Sequence, residues 1–197
     1  LDYTGNILYG GSTTSATQLV TNFQFRQAPY IEDGTDGFDN GNGTIDGYTF
    51  ISVYGHSLTA YVESSGNNSS IDRLHVEQDY SQPLPSTSCY FEYTLPDALS
   101  EGVQHDVSLA IWAYANMGSV SVYYKIDGGS YQSIENGLVL TPTEKYYSIN
   151  GSFYTGSAGT YKIKVLMESA HASEGGLHFY FDYFSVMREA FASGGKT

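Results

Sequence analysis

The chain has 197 residues, a formal net charge of −13 and only 8 lysines plus arginines, against 19 tyrosines and 22 glycines. Its 41% hydrophobic content is enough for a packed core and excludes wholesale disorder. The scarcity of cations excludes a nucleic-acid-binding protein and disfavours direct contact with an anionic membrane, and the absence of an apolar run of about 20 residues excludes a predicted membrane-spanning helix.

Short runs of aromatic and β-branched residues, separated by turn residues, predict about eleven strands and no helix. In chain order, the predicted strands cover residues 7–9, 18–25, 48–54, 57–63, 71–77, 90–95, 107–114, 119–126, 130–134, 159–167 and 177–186. Asp127-Gly128-Gly129 supplies the positive φ angles of a tight hairpin between two of them. Residues 27–47, dense in Gly, Asp and Asn, are predicted to form a loop.

The strand predicted at 159–167 shows the clearest alternation. Tyr161, Ile163 and Val165 should point to one face of the sheet, and Lys162 and Lys164 to the other. This pattern is typical of a sheet with one face on a core and the other in solvent.

Together these patterns predict an all-β fold, an antiparallel two-sheet β-sandwich or jelly roll. We expect one domain over residues 1–197, with a connector containing Pro83 and Pro85 crossing one end and residues 1–10 as an extended N-terminal strand or arm. Cys89 is the one cysteine, so no intrachain disulfide is possible, and the thiol is expected to be a small buried apolar group.

The segment 33–47 is the best candidate for a metal site, because a Gly-rich loop with Asp and Asn oxygens can wrap a calcium ion. Its spacing does not fit an EF-hand, since Phe38 and Thr49 fall where the first and last ligands are needed. The candidate ligands of a different calcium loop are Asp33, Asp36, Asp39 and Asp46. The alternative is a solvated loop whose Asn-Gly and Asp-Gly steps set turn geometry.

Aromatic residues in the second half of the chain indicate a ligand site as well as a core. Flat apolar faces of sugars stack on exposed rings, while amide and carboxylate groups bind the hydroxyls. Because alternate strand residues face the core, rings near predicted loops are the better ligand candidates. With two amides, these candidates are Tyr131, Tyr146, Tyr147, Tyr154, Asn116 and Asn150. Trp112, in the middle of a predicted strand, is expected in the core.

Motifs for catalysis are missing from the sequence. The five histidines are scattered without metal-ligand spacing, and each is expected at the surface or in packing. No serine lies in a nucleophile-elbow motif. A polysaccharide-degrading enzyme would need a cleft with converging acids, and the strand acids to consider are Glu63, Glu92, Glu168 and Asp182. We predict that the chain is not an enzyme.

From Cys89 onward, the order of elements resembles the galactose-binding-like sandwiches, particularly carbohydrate-binding modules of families six and thirty-five. The resemblance rests on five segments, 90–93, 107–114, 120–134, 159–165 and Phe181-Asp182-Tyr183. It implies that Asp182 is the last-strand acid that helps to hold a structural calcium, and that sugar binds in loops at one end of the sandwich.

The sequence therefore predicts a non-catalytic, extracellular β-sandwich that binds a glycan, with calcium as a candidate stabilising ion and no insertion into a membrane. The chain opens at Leu1 without an initiator methionine, as a processed or trimmed start would. The alternative, from a different class, is a structural subunit of an extracellular filament or surface coat. In that case, residues 1–9 add as a strand to the open sheet edge of an identical subunit.

Overall fold

The computed structural model describes residues 7–9, 12–14, 17–20, 42–45, 47–52, 58–64, 72–78, 87–113, 118–141, 145–169 and 177–188. The regular structure of these residues is antiparallel β-strand in two large sheets, which confirms the predicted fold class. Among the same residues there is no helix that is long and apolar enough to cross a membrane.

Fourteen strands lie within the described residues. They are β1 (Ile7–Tyr9), β2 (Ser12–Thr14), β3 (Thr17–Gln18), β4 (Asn42–Ile45), β5 (Tyr48–Ser52), β6 (Leu58–Ser64), β7 (Asp72–Gln78), β8 (Thr87–Thr94), β9 (Gln104–Ala113), β10 (Ser119–Ile126), β11 (Gln132–Val139), β12 (Lys145–Tyr154), β13 (Tyr161–Ser169) and β14 (Leu177–Arg188).

Most of the strands belong to two large sheets, sheet I and sheet II. Sheet I runs β11-β10-β13-β8-β5-β4, and sheet II runs β12-β9-β14-β7-β6, with β3 beside the end of β14. β1 and β2 form a separate two-stranded ribbon. Both large sheets contain strands from before and after the predicted proline connector, which itself lies outside the described residues. A single domain over the whole chain stays a prediction.

Period-2 patterning determines which side chains form the core. Along β13, Tyr161, Ile163 and Val165 are buried and the two lysines between them are half-buried on the outer face, which confirms the predicted alternation. Cys89 on β8 is fully buried, as predicted, and burial raises the pKa of its thiol to about 12. The thiol is therefore an inert core group.

Aromatic rings from both sheets meet at the centre of the core. The ring of Phe91 on β8 of sheet I makes edge-on contacts with Phe181 and Phe184 on β14 of sheet II, at centroid distances of 5.5 and 5.6 Å. Tyr48 and Phe50 on β5 pack on the same ring at 5.7 and 5.9 Å. Each of these side chains is fully buried, so the cluster joins the sheets through apolar area and favourable ring geometry.

Three strands were not predicted. β2, at Ser12–Thr14, pairs with the predicted strand β1. The segment 27–47, expected to be a loop, contains β4, which pairs with β5 across a turn in which Gly47 has a φ of 84°. Residues 145–154, where no strand was predicted, form β12, an end strand of sheet II. The Asn and Gly residues of β4 and β12 have low strand propensity, and pairing along a sheet edge overrides that preference. Of the predicted strand 18–25, the part beyond residue 20 lies outside the described residues.

The hairpin between β10 and β11 forms as predicted, with Gly128 at a φ of 76° and the Gly129 N–H donating to the Ile126 carbonyl at 2.8 Å. β11 runs five residues further than expected, to Val139.

The two sheets are in close contact where β11 and β12 face across the sandwich. A Cβ built on Gly151 of β12 would overlap the Cγ2 methyl of Ile134 on β11. Gly151 is therefore required by the distance between the sheets, and its φ lies outside the left-handed region.

Replacing Gly151→Ala should lower the free energy of unfolding by about 1–3 kcal/mol, because the added methyl forces Ile134 or its strand to move. Chemical denaturation measures this change. Gly156→Ala is the matched control and should have little effect, since no described atom lies within 4 Å of its added methyl. Combining Gly151→Ala with Ile134→Ala should cost less than the sum of the two single changes, and strict additivity would contradict the overlap.

Candidate functional site

Strand β12 carries most of the residues predicted to bind a ligand, but it divides them between two faces. Tyr146, Asn150 and Tyr154 are exposed on the outer face of sheet II, with 62% and 58% of the two tyrosines accessible. Tyr147 points the other way and packs against the core, and its hydroxyl accepts a hydrogen bond from the Thr141 backbone N–H at 3.1 Å. Tyr147 therefore does not share a face with the other three.

The remaining ligand candidates are not on this face either. Tyr131 precedes β11 and contacts side chains on the outer face of sheet I, and Asn116 lies outside the described residues. The predicted set of six does not come together as one site, because neighbouring strand residues alternate between faces and the candidates come from different sheets.

Trp112 was expected in the core, and this prediction is wrong. Val107, Leu109 and Ile111 are the buried residues of β9, so Trp112 falls on the outer face of sheet II, where it is half-buried. The pleat alone determines this orientation.

Trp112 belongs to a row of five ring side chains, one from each of the five consecutive strands of sheet II. Backbone register pairs each member with the next across the sheet. From β6 to β12, the row is Tyr61, His75, Tyr180, Trp112 and Tyr146. We call it the aromatic row.

The central rings of the aromatic row contact one another directly. His75 stacks on Tyr180 at 4.3 Å with 24° between the ring planes and lies 4.7 Å from Tyr61. Trp112 meets Tyr180 edge-on at 5.3 Å. His75 and Tyr180 are buried in this stack, whereas Tyr146, at the end of the row, is largely exposed. The row is therefore a rigid base with accessible ring surface toward β12.

Arg73 of β7 lies over the aromatic row. Its guanidinium carbon is 4.5 Å from the Trp112 ring centroid and 4.3 Å from that of Tyr180, a cation–π arrangement. Burial of His75, together with the charges of His178 and Arg73, lowers the pKa of His75 to about 3. His75 is thus a neutral imidazole at physiological pH.

Asp182 sits in a β-bulge of β14, beside the row. Phe181 pairs with Ile111 and Tyr183 with Ala110, so Asp182 is the extra residue on its strand. Burial raises the pKa of this carboxyl, and the nearby charge of Arg73 opposes the rise. The other calcium candidates, Asp33, Asp36, Asp39 and Asp46, lie outside the described residues, so the calcium site stays a prediction.

The outer face of sheet I carries a different cluster, in which lysines cover tyrosine rings. The Nζ atom of Lys164 lies 4.3 Å from the ring centroid of Tyr90 and 4.8 Å from that of Tyr131. Lys125 lies 4.3 Å from the Tyr131 centroid. Burial lowers the pKa of Lys164. These tyrosine rings are occupied by cations of the chain itself.

Glu92 is the acid at the centre of that cluster. It accepts a hydrogen bond from the Tyr131 hydroxyl. It also forms ion pairs with Lys125 at 3.3 Å and with Lys162 at 3.2 Å. Burial acts to raise the pKa of Glu92, but the hydrogen bonds from Tyr131 and Lys162 and the two lysine charges outweigh it and lower the pKa. Burial and the bond to Glu92 raise the pKa of Tyr131. Tyr131 is therefore a structural partner of Glu92.

The strand acids considered for catalysis are spread over the sandwich. Glu92 and Glu168 lie on sheet I, four residues apart in register and hence separated by about 13 Å along the strands, while Asp182 lies on sheet II. Among the described side chains, these three acids form no close pair; the side chain of Glu63 is not described.

The aromatic row could not be predicted from the sequence, because residues that are neighbours in the row are separated by 14 to 105 positions in sequence and are aligned by strand register alone. One signal was present within β9: once Val107, Leu109 and Ile111 are assigned to the core, Trp112 must point outward.

No family model matches the chain, and no curated protein matches its sequence. Solved structures do match its fold. A candidate sugar-binding protein from Bacteroides thetaiotaomicron aligns over 87% of this chain and 100% of its own, with a TM-score of 0.56 and 10% identity. The module TmCBM61, solved in complex with β-1,4-galactotriose, aligns over 88% and 99%, with a TM-score of 0.51 and 16% identity.

A third match is the enzymatically active domain of tailspike protein 4 from bacteriophage CBA120, with a TM-score of 0.51 and 11% identity over 87% of this chain. The present chain spans 21% of that protein. At such identities the matches show the fold: this chain has the β-sandwich of carbohydrate-binding modules, a fold that also occurs within larger enzymes.

Replacing Glu92→Gln should lower the free energy of unfolding at neutral pH by about 1–3 kcal/mol, because it removes charge-assisted hydrogen bonds. The pKa of Glu92 is lower in the folded chain, so its contribution is present above the unfolded pKa and is lost as the pH falls through the folded one. Denaturation of both proteins across a pH series should show the difference shrinking in acid. Glu168→Gln, exposed on the same face, is the control. A pH-independent difference would show that the charge of Glu92 is not responsible.

Proposed function

We propose that this chain is a non-catalytic carbohydrate-binding β-sandwich and that its glycan lies along the aromatic row on the outer face of sheet II. The observation that carries the proposal is the row itself, five ring side chains aligned in register across five strands and ending in the exposed Tyr146. The fold shared with carbohydrate-binding modules supports it.

The chemistry of the face suits a sugar. A pyranose presents an apolar C–H face that stacks on an exposed ring, and Tyr146 and the half-buried Trp112 offer such surface side by side. Arg73 lies over Trp112 and supplies N–H donors for hydroxyl or carboxylate groups.

Other polar side chains share the outer face of sheet II with the row. Ser148 is exposed on β12, two residues from Tyr146, and a hydroxyl of this kind binds sugar hydroxyls. Asn150 is also exposed on β12, and register places it next to Ser108 of β9, which in turn pairs with Ser185 of β14. Because Asn150 lies four residues from Tyr146, about 13 Å along the strand, its ligand role stays a prediction.

The length of the row indicates the size of the ligand. Five strands spaced about 4.8 Å apart span about 19 Å, roughly the length of four linked hexoses. We therefore expect an oligosaccharide or polysaccharide chain, bound across the strands. Cations of the chain lie over rings on both faces, Arg73 over Trp112 and lysines over Tyr90 and Tyr131. It is therefore the exposed ring of Tyr146 that favours sheet II.

An extracellular location follows from this proposal and fits the tyrosine-rich, lysine-poor composition. Membership of module families six or thirty-five stays a prediction. So does the filament alternative: residues Ile7–Tyr9 pair with Ser12–Thr14 of the same chain, and their addition to a neighbour's sheet is untested.

Trp112→Ala and Tyr146→Ala should each weaken glycan binding about tenfold or more, because each removes a stacking surface. Affinity electrophoresis against soluble polysaccharides, a β-1,4-galactan among them, measures the loss. The matched control is Tyr154→Ala, which changes a tyrosine of similar exposure on the same strand and face, outside the row. If Tyr154→Ala abolished binding and Tyr146→Ala did not, the glycan would lie at the other end of β12, and the proposed face would be wrong.

Two measurements, each made with and without millimolar calcium, test the two remaining predictions. In light scattering at high protein concentration, a binding module should stay a monomer or small oligomer in both conditions. In thermal unfolding, calcium should raise the melting temperature if the ion is structural. Growth into long polymers would support the filament alternative instead. An unchanged melting temperature would show that calcium is not a structural ion of this protein.

A further inference from the structure

Three potential metal ligands converge from two neighbouring strands, and one of them, His75, is a member of the aromatic row. His75 and Glu77 are two residues apart on β7 and therefore share its outer face, and His178 of β14 pairs in register with Glu77. One ligand atom from each of the three lies within 4.8 Å of the others. We call this group the His75–Glu77–His178 cluster.

The two imidazoles are the closest members. His75 Nε2 and His178 Nδ1 are 2.9 Å apart, and the other ring nitrogen of His178 lies 3.8 Å from Glu77 Oε1. His75 is held between the rings of Tyr61 and Tyr180, so its position is fixed by packing. The side chains of His178 and Glu77 are 25% and 34% exposed, which leaves the cluster open to solvent on one side.

We propose that the His75–Glu77–His178 cluster binds a transition-metal dication of the zinc type. Two imidazole nitrogens and one carboxylate oxygen form a donor set that zinc takes in tetrahedral sites, with the fourth position left to water. Calcium prefers six to eight oxygen ligands, so this donor set selects against it. The proposed metal site is thus separate from the calcium loop predicted at 33–47.

To accept the ion, the two imidazoles move slightly and the Glu77 carboxylate moves further, because its 3.8 Å contact is with the ring nitrogen of His178 that faces away from His75. Zinc–nitrogen distances of about 2.0–2.1 Å in a tetrahedron place two ligand nitrogens about 3.3 Å apart. The imidazoles therefore separate by a few tenths of an ångström, and the carboxylate of Glu77, which is the most exposed of the three side chains, moves toward them. His75, fixed in the stack, is the anchor.

A bound ion would link β7 to β14 through His75, which is itself a member of the aromatic row. The inference does not depend on the proposed glycan function, because metal binding is measured without any sugar. His75 and His178 are 103 positions apart in sequence and adjacent in the fold, so sequence spacing could not indicate the cluster.

Isothermal titration calorimetry of the chelator-treated full chain with zinc chloride tests the proposal, with calcium chloride as the comparison. We expect one zinc per chain, bound equally well in the presence of excess calcium chloride, because calcium does not compete for this donor set. His178→Ala and Glu77→Gln should each weaken zinc binding roughly tenfold or more, whereas Glu168→Gln, an exposed glutamate on sheet I, should bind zinc as the unmodified chain does. Zinc should also raise the melting temperature of the unmodified chain and not that of His178→Ala.

Two results would overturn the proposal. One is no saturable zinc binding by the unmodified chain. The other is zinc binding that neither His178→Ala nor Glu77→Gln weakens, which would place the ion elsewhere. Circular dichroism of each variant checks folding. If His178→Ala is not folded, zinc binding by Glu77→Gln, which preserves the side-chain shape, shows whether the cluster holds the ion. Loss of glycan binding in the Trp112 and Tyr146 variants is scored separately, so the two proposals can fail independently.

Discussion

The contact between Phe91 of sheet I and the two phenylalanines of β14 is the interaction on which the rest of the structure depends. These rings hold two twisted sheets face to face, and burial of several aromatic side chains at one place supplies a large share of the hydrophobic free energy. Because β14 lies at the centre of sheet II, fixing its position in the core also fixes the residues on its outer surface. The core thereby determines the geometry of both proposed binding sites.

β14 shows how one strand serves two purposes. Phe179 and Phe181 face the core, while His178 and Tyr180, between and beside them, face outward. After Asp182 the bulge shifts the alternation by one residue and returns Phe184 to the core. If regular alternation ran through Asp182 without a bulge, Tyr183 would take the core position and Phe184 would face solvent. Asp182, the one acid of this strand, is thus the residue at which the register changes.

The parts of the fold that were predicted from the sequence are those set by local pattern. The alternation of β13 and the Asp-Gly turn after β10 each need only neighbouring residues, and both were predicted correctly. β12 was not predicted because Asn150 and Gly151 have low strand propensity, although a side chain at Gly151 would overlap Ile134 of the facing sheet. The aromatic row and the His75–Glu77–His178 cluster depend on pairing between distant strands, which no local pattern contains.

The aromatic row begins on β6 and ends on β12, the two outermost strands of the five-stranded order of sheet II. A polymer lying along it would meet no further strand of this order at either end. Within the part of the chain that the structure describes, the surface is therefore open at both ends. If the proposed glycan lies there, such a surface suits an internal stretch of a long polymer better than its terminus. Rings on the outer strands also lie away from the stacked centre, so a change there would alter the contact with the polymer and leave the fold intact.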